Sequence, residues 1–439
     1  MVETLARPEI EAYQWSKLSL QLDYLFASNA FYRDKLSAAG AQPEKIRSWD
    51  DFRRMVPVTR KDELIADQSS FPPFGHRLGV APERVVQINM TGGTTGAGQE
   101  VHALTGADVD VAATSYAYGC YWVGLRPGDV VLNTIPVSVS AAGQWMYGSF
   151  AQQRLLQLPV GVYDTIQKLQ HAVRFGAKAV AATPSYLMTM QHVAEQEGID
   201  LAASSISMIL TATEAFSVEW AHRIEEVWGA RLFEWYGATQ RLLAWTCERG
   251  AVDGDFHGVL HYLPHLTLFE VLNPETGEPV EPGEEGEVVG TFLESEASPL
   301  LRFATGDRVR YMGWSCCPCG RTLPGIESGT IVRYDDMLKV RGVNFWPAAV
   351  DAVVLGQPGI DDYRGRVFMD ERQREQIELM IQFQPGTTTE AIEETSAYLQ
   401  RRVAEQVGLR VSARAVALAE GEFRDERTKA RRWKDERQH

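Results

Sequence analysis

Three short apolar runs limit what this chain can become. "DVVLNTIPV", "AKAVAATPS" and "ISMILTAT" read as buried strands, each closing on Thr, Pro or Ser. The helix patterns "SYLMTMQHVAEQEG" and "SVEWAHRIEEVWG" follow two of them. Short apolar runs alternating with helices from about Val85 predict an α/β domain, in which ligands gather where strands end and loops begin. Before it, "LSLQLDYLFASNAFYRDKLSAAG" has helical spacing and a glycine stop at Gly40. From Asp255 to Arg310, turns at "NPETGEP" and "EPGEEGE" predict antiparallel strands. A tail of roughly a hundred residues carries its own strand and helix signals, "QIELMIQFQPG" and "TEAIEETSAYLQRRVAEQVG", the size of a small domain. The 439 residues exceed what one core serves, so a large body with a smaller companion is expected.

Charge narrows the partners. A formal net charge of −15 argues against general affinity for nucleic acid or anionic membrane. The same field repels an anionic substrate, so an acid or nucleotide site must carry local positive charge. No apolar run is long enough to span a bilayer, and "MVETLARPEIEAYQW" lacks signal-peptide features. Five cysteines, three of them packed into "SCCPCGR", form no spaced disulfide framework, and a cytoplasmic location is expected.

Three motifs carry chemistry. "NMTGGTTGAGQEV" holds four glycines and three threonines in thirteen residues, yet the next basic residue is Arg126. It fits neither GxxxxGK[ST] nor GxGxxG. Glycine lets backbone N–H groups approach an anion and threonine hydroxyls donate to it, although a surface turn has the same composition. "RLFEWYGATQ" sets the Tyr236 ring beside a polar turn, where a flat base could stack. "LLRFATGDRVR" sets Asp307 after a Thr-Gly turn, where it could accept from two neighbouring hydroxyls. Aromatic core and an ordinary turn are the bland readings of these two. Separately, Cys317 and Cys319 in "CCPCG", Cys247 in "TCERG" and one histidine of "FHGVLHYLPHL" would complete a closed, structural zinc site. Buried free thiols are the alternative.

In order along the chain, these pieces resemble the adenylate-forming acyl-CoA ligases, most closely the phenylacetate–CoA ligase branch. The resemblance runs through "FYRDKLSAAGAQPEKIRSWDDFRRMVPVTRKDEL", "TGGTTG", "ATPSYL", "TATEAFS", "EWYGATQ", "PLLRFATGD", "CPCGRTLPGI" and "DDMLKVRGVNFWP". It implies an α/β fold, with a large multi-subdomain N-terminal domain of mixed sheets at 1–334 and a small mobile α+β C-terminal domain at 335–439. It implies that Thr91, Gly92, Gly93, Thr94, Thr95 and Gly96 wrap the ATP phosphates. Tyr236 would stack on adenine, with Gly237 and Thr239 in the turn beside it and Glu214 in the opposite wall. Asp307 would hold the ribose, Arg333 would lie near ribose and phosphate, and Asp335–Asp336 would be a hinge. Lys429, or more weakly Lys434, would be the catalytic lysine, brought in by the small domain to supply the missing cation. Phenylacetate-ligase-like sequences share the zinc arrangement; counting back from "FEVLNPETG" selects His261, with His257 still open. "PVSVSAAGQWMYGSF" falls at the acid pocket, where Ala141, Ala142 and Gly143 would leave room beside Trp145 and Tyr147 for a flat aromatic acid.

Several positions depart from the family pattern. Gln240 stands where a glutamate helps hold magnesium, and an amide is the poorer ligand for a hard cation. Ala97 replaces a common lysine, Val332 the glycine before Arg333, and Thr428 the glycine before Lys429. The expected activity is adenylation of a carboxylic acid, aromatic by pocket shape, using ATP and magnesium, then transfer to coenzyme A. Transfer to an amine, a carrier-protein thiol or a small inorganic nucleophile is a second enzymatic version. A degenerate binder and a zinc hydrolase are readings of other classes. The branch also allows a homodimer.

Overall fold

The structure, a computed structural model, describes residues 2–91, 99–370, 372, 374–384, 386–416 and 432–437. In chain order its first strands are β1 (Gln87–Met90), β2 (Val101–Leu104), β3 (Val130–Asn133), β4 (Leu156–Pro159), β5 (Ala179–Ala181), β6 (Met208–Thr211), β7 (Arg231–Gly237) and β8 (Leu243–Thr246). The three apolar runs become β3, β5 and β6. Strands β4, β3, β5, β6 and β7 lie side by side and parallel. Every residue of β5 and β6 is buried, which explains why their sequences are continuous apolar runs without alternation.

Each face of this parallel half has its own cover. One face packs against a cluster containing Trp145, Trp235 and Trp245, the other against Trp220 and Trp228 with the helices that carry them. Local chemistry sets the helix ends. The hydroxyl of Thr183 accepts from the Tyr186 N–H to cap Pro184–Gln196, and Ser217 does the same for Val218–Trp228. Gly229, at φ 59°, stops the latter in the left-handed conformation.

β7 is the seam. On one side it pairs in parallel with β6; on the other it pairs antiparallel with β8, Tyr236 opposite Ala244. From β8 the sheet continues antiparallel through Val259–Tyr262, Pro324–Glu327, Phe303–Trp314, Glu285–Phe292 and Thr267–Leu272. With Val332–Arg333 paired to Phe303–Trp314 off this path, it holds twelve strands among the described residues. The N-terminal helices Arg7–Ser28 and Ala30–Ala38 pack through Leu18, Leu22 and Tyr32, and the Tyr32 hydroxyl accepts from the Leu301 N–H at 3.0 Å.

The C-terminal part is a separate small α+β domain. Ile360–Met369 and Glu375–Phe383 pair antiparallel, flanked in parallel by Trp433–Asp435 and Ser412–Ala415 respectively. Helices Pro347–Leu355 and Thr389–Val407 cover the sheet around Val350, Tyr363, Leu379, Leu399 and Val403. This fits the mixed α/β expectation of a large N-terminal domain with a smaller α+β one.

One glycine marks a close approach in the core. Gly119, on helix Gly106–Trp122, lies against the Trp245 indole, which a Cβ would overlap. Gly119→Ala is expected to destabilise the large domain by about 1–3 kcal/mol through overpacking. The check is the thermal midpoint; one equal to the parent's would mean the helix simply moves aside.

Candidate active site

The ends of β5, β6 and β7 converge on one edge of the sheet. After β5, Ser185 donates its backbone N–H and its hydroxyl to the Glu214 carboxylate, at 3.0 and 2.7 Å. Glu214 follows β6 through Thr213, which turns the chain at φ 74°. Packing raises the Glu214 pKa, with Arg432 and Ser185 opposing. At the end of β7, the Tyr236 hydroxyl donates to Asp307 Oδ2 at 2.6 Å. Burial, then the Asp307 charge, holds the phenol well above its ordinary pKa. Asp307 pairs with Arg333 in the strand register, and the Arg333 Nη1 lies 3.6 Å from Asp307 Oδ1. The Thr-Gly turn expected before Asp307 is instead an irregularity within Phe303–Trp314, where Gly306 takes φ 77° and the register with Glu285–Phe292 shifts. Tyr236, Asp307 and Arg333 therefore meet, one strand end away from Glu214. Gly237 is the last residue of β7, opposite Leu243, and Thr239 lies in the turn that follows.

The Gly/Thr loop leaves and returns at a closed base. The Thr91 N–H donates to the Glu100 carbonyl at 3.1 Å, and the Glu100 N–H to the Thr91 hydroxyl at 3.0 Å. Gly92, Gly93, Thr94, Thr95 and Gly96 lie outside the described residues, as do Ala97, Thr428 and Lys429. Gln240 does not stand alone. Its amide donates to Glu100 Oε2 at 2.8 Å, with Gln240 8% and Glu100 1% exposed. Next to Glu100 is His102, whose Nδ1 lies 3.2 Å from the Arg77 guanidinium. Burial and then Arg77 push the His102 pKa down to about 4, so the imidazole is neutral. Arg241 fixes the turn that carries Gln240: at φ 62° it reaches Asp108 Oδ1 at 3.2 Å and donates to Ser295 at 2.5 Å. Glu100, His102, Arg77 and Arg241 were missed in the sequence. The available signal was a lone carboxylate at the foot of a phosphate-type loop.

The segment around Arg333 links the two domains. Asp335 and Asp336 are exposed in a short 3-10 turn, and Arg333 donates to Asp335 at 3.2 Å. The Trp346 indole donates to the Arg333 carbonyl at 3.0 Å. Arg223 of the large domain donates to the carbonyls of Leu355 and of Gln357, the latter at 3.0 Å. Arg432 shares a pocket with Glu214 and Asp351 and donates to Asp362 at 2.8 Å. Burial works against its charge, but Asp362, Asp351 and Glu214 hold its pKa above the ordinary value. Lys434, the weaker lysine choice, is exposed and pairs with Glu436 at 3.1 Å.

The residues expected at the acid pocket divide between core and cavity. Trp145 is buried and belongs to the core with Tyr116 and Trp245. The space beside Gly143 is taken by the Pro136 carbonyl, so this glycine serves a close approach between helix and loop. Ala142 lies in the same first turn, and Tyr147, 47% exposed, lines one cavity together with Trp145, Gln87, Val109, Val137 and Gln144.

The Cys/His group comes together without His257. The ligand atoms of Cys247, His261, Cys317 and Cys319 all lie within 4.8 Å of one another. Cys247 and Cys317 sulfurs are 3.8 Å apart, and Cys319 Sγ is 3.6 Å from His261 Nε2. A tetrahedral zinc with its usual bond lengths has S–S and S–N edges of about 3.8 and 3.6 Å, so these residues fit the ion. His257 instead packs near Phe216 and Gly329.

A fold with nucleotide-type residues on the seam of a mixed sheet, and a small domain set over that edge, defines an AMP-forming acid ligase. The AMP-binding enzyme model matches residues 30–290, more than half of the chain, and the AMP-binding enzyme C-terminal domain matches 342–437. The chain belongs to the AMP-binding enzyme family, in its phenylacetate–CoA ligase-like branch. It is 29% identical to the phenylacetate-coenzyme A ligase of Thermus thermophilus over 87% of this chain and 83% of that one. The Escherichia coli phenylacetate-coenzyme A ligase is 27% identical over 81% and 78%. Among solved structures, a 2-hydroxyisobutyryl-CoA ligase in the postadenylation state, in complex with an acyl-AMP, superposes with a TM-score of 0.87 at 25% identity, covering 99% of this chain and 91% of that one. The same ligase in the thioesterification state gives 0.70 at the same identity and coverage, so the domain arrangement here is nearer the postadenylation one.

Beneath this site, Glu234 of β7 is buried and accepts from Ser328 and the Gly329 N–H at 2.7 and 2.6 Å. Burial pushes its pKa up to about 7. A carboxyl raised on folding favours the fold most below its unfolded pKa, and that contribution is lost as pH rises through about 7. Glu234→Gln should therefore compare better with the parent at pH 8 than at pH 5. Thermal midpoints at the two pH values test this, and an equal difference at both would contradict it.

Proposed function

We propose that this chain activates a carboxylic acid, with an aromatic acid as the first candidate, as its acyl-adenylate and transfers the acyl group to coenzyme A. The observation that carries the reading is the Tyr236–Asp307–Arg333 constellation beside Glu214, on the edge where the small domain docks. The relatives named as phenylacetate-coenzyme A ligases support both the aromatic acid and the acceptor.

In the first half-reaction a carboxylate oxygen of the acid attacks the α-phosphorus of ATP, and pyrophosphate leaves. Asp307 accepts from the ribose hydroxyls while Tyr236, anchored by its own hydroxyl, presents its ring to adenine. Glu214 and its neighbours form the other wall, and Arg333 offsets charge near the ribose and phosphate. Thr91 and the loop it opens donate to the phosphates. Lys429 is assigned to the charge that gathers at the α-phosphate, where a preorganised cation acts most strongly. Magnesium, bound with the nucleotide, would neutralise phosphate charge. The domain boundary is placed at Asp335–Asp336, about which the small domain would turn to admit coenzyme A. Its thiolate then attacks the acyl carbonyl and AMP departs. Zinc, held by Cys247, His261, Cys317 and Cys319, would be structural, because four protein ligands leave no position for water.

Two experiments test this. Pyrophosphate release with ATP, magnesium and a panel of aryl and aliphatic acids should depend on the acid and respond to coenzyme A. Lys429→Ala should lower it by a hundredfold or more, roughly the scale of losing one transition-state donor. Tight ATP binding without turnover on any acid would replace the enzyme with a binder. Separately, metal analysis should find zinc in the purified protein, and Cys319→Ser should lose it together with several degrees of thermal midpoint. Parent protein free of zinc would return the cluster to ordinary buried thiols.

A further inference from the structure

We propose that Glu100, held in place by Gln240, is the carboxylate through which this chain grips the divalent cation of its nucleotide. The inference rests on the ATP reading above and identifies a ligand that reading leaves open.

Position comes first. Residue 100 closes the base of the Gly/Thr loop through two hydrogen bonds with Thr91, at 3.1 and 3.0 Å. The Lys61 and Arg77 charges offset the Glu100 carboxylate in part, and a divalent cation standing between it and the phosphates would remove the remaining repulsion.

The two carboxylate oxygens then divide unequally. Oε2 receives the Gln240 amide at 2.8 Å and faces His102 Nε2 at 3.7 Å. His102 Nδ1 faces the Arg77 guanidinium, which can only donate, so Nδ1 accepts and Nε2 carries the hydrogen. His102 is thus oriented to donate and is not available as a ligand through Nε2. Oε1 is buried and has no hydrogen-bond partner among the described residues. A buried carboxylate oxygen left without a partner is costly, and a cation removes that cost.

The chemistry of the swap is consistent. Magnesium binds through oxygen, usually one or two carboxylates plus substrate phosphates and water. An amide at 240 is the weaker ligand but a good donor. Placed against Glu100, it orients a carboxylate instead of replacing one. Arg241 locks the turn by its clamp on Asp108 and Ser295, so Gln240 is a positioning residue.

The test uses the full-length protein with ATP and no acid, so that nothing turns over. Manganese is the probe: its binding to the protein–ATP complex is read by electron paramagnetic resonance. ATP binding is measured in parallel in EDTA. Glu100→Gln is expected to weaken manganese binding by about tenfold or more, since even partners of metal ligands act on that scale, with metal-free ATP binding retained. The double variant Glu100→Gln with Gln240→Glu exchanges amide and carboxylate across the same contact and should restore manganese binding. Unchanged manganese binding in Glu100→Gln overturns the proposal. So does parallel loss of metal-free ATP binding in both variants, which would mark a structural role, and so does a swap that restores nothing. A parent that binds no ATP would instead sink the nucleotide reading itself. Should Glu100→Gln fail to fold, Gln240→Leu, which removes the positioning amide alone, is expected to weaken manganese binding while ATP binding in EDTA persists.

Discussion

The hydrogen bond from Tyr236 to Asp307 joins two residues 71 positions apart, and the site depends on it. Tyr236 ends β7, the last parallel strand; Asp307 belongs to Phe303–Trp314 in the antiparallel half. Apolar clusters run across the join, with Val131 and Leu210 of the parallel strands in one cluster with Trp245 and Leu323, so hydrophobic burial holds the halves together without fixing how individual polar groups meet. A short bond between a buried phenol and a carboxylate is directional, and it fixes the ring and the acid relative to each other. Arg333, paired with Asp307 in register, extends the same line to the segment that leads into the small domain.

Buried charge does similar work elsewhere at these joins. Arg241 with Asp108, and Arg302 with Glu270 at 3.2 Å, are nearly fully buried pairs surrounded by further hydrogen bonds. Pairs of this kind stabilise little compared with apolar replacements, whereas removing one partner is costly. Their consequence here is geometric: Arg241 holds the turn of Gln240, and Arg302 ties the antiparallel sheet to the carbonyls of Arg53 and Val56. Contacts between the domains are mixed: Arg223 donates to carbonyls of the small domain, Arg432 faces Glu214, and Leu355 packs against the Trp220 cluster.

Local features were legible in the sequence where local rules decide them. Continuous apolar runs marked β3, β5 and β6 because strands buried on both faces cannot tolerate alternation, and Gly40, at φ 69°, marked the end of Ala30–Ala38. Contacts between distant segments were not legible from composition or spacing. Glu100 and Gln240 lie 140 residues apart, and the loss of a carboxylate at 240 looks like damage until its partner is seen. His261 could be separated from His257 only by pairing register, which sets it opposite Trp245 and Gly325 and so beside the cysteine-bearing segments. Gly143 misled in the opposite direction: a missing side chain reads as room, but here it admits the Pro136 carbonyl. Roles for Tyr236, Asp307 and Arg333 came from family resemblance, and the structure brings these three together.

Isotope transfer tests the adenylation of an acid most directly. An acid carrying ¹⁸O in its carboxylate is turned over with ATP, magnesium and coenzyme A, and the nucleotide product is analysed by mass spectrometry. Attack on the α-phosphorus leaves one labelled oxygen on phosphorus when the thiol displaces AMP. Labelled AMP with unlabelled inorganic phosphate and pyrophosphate is the expected result. Label in inorganic phosphate with ADP as the nucleotide product would mean attack at the γ-phosphorus, and would contradict an acyl-adenylate route.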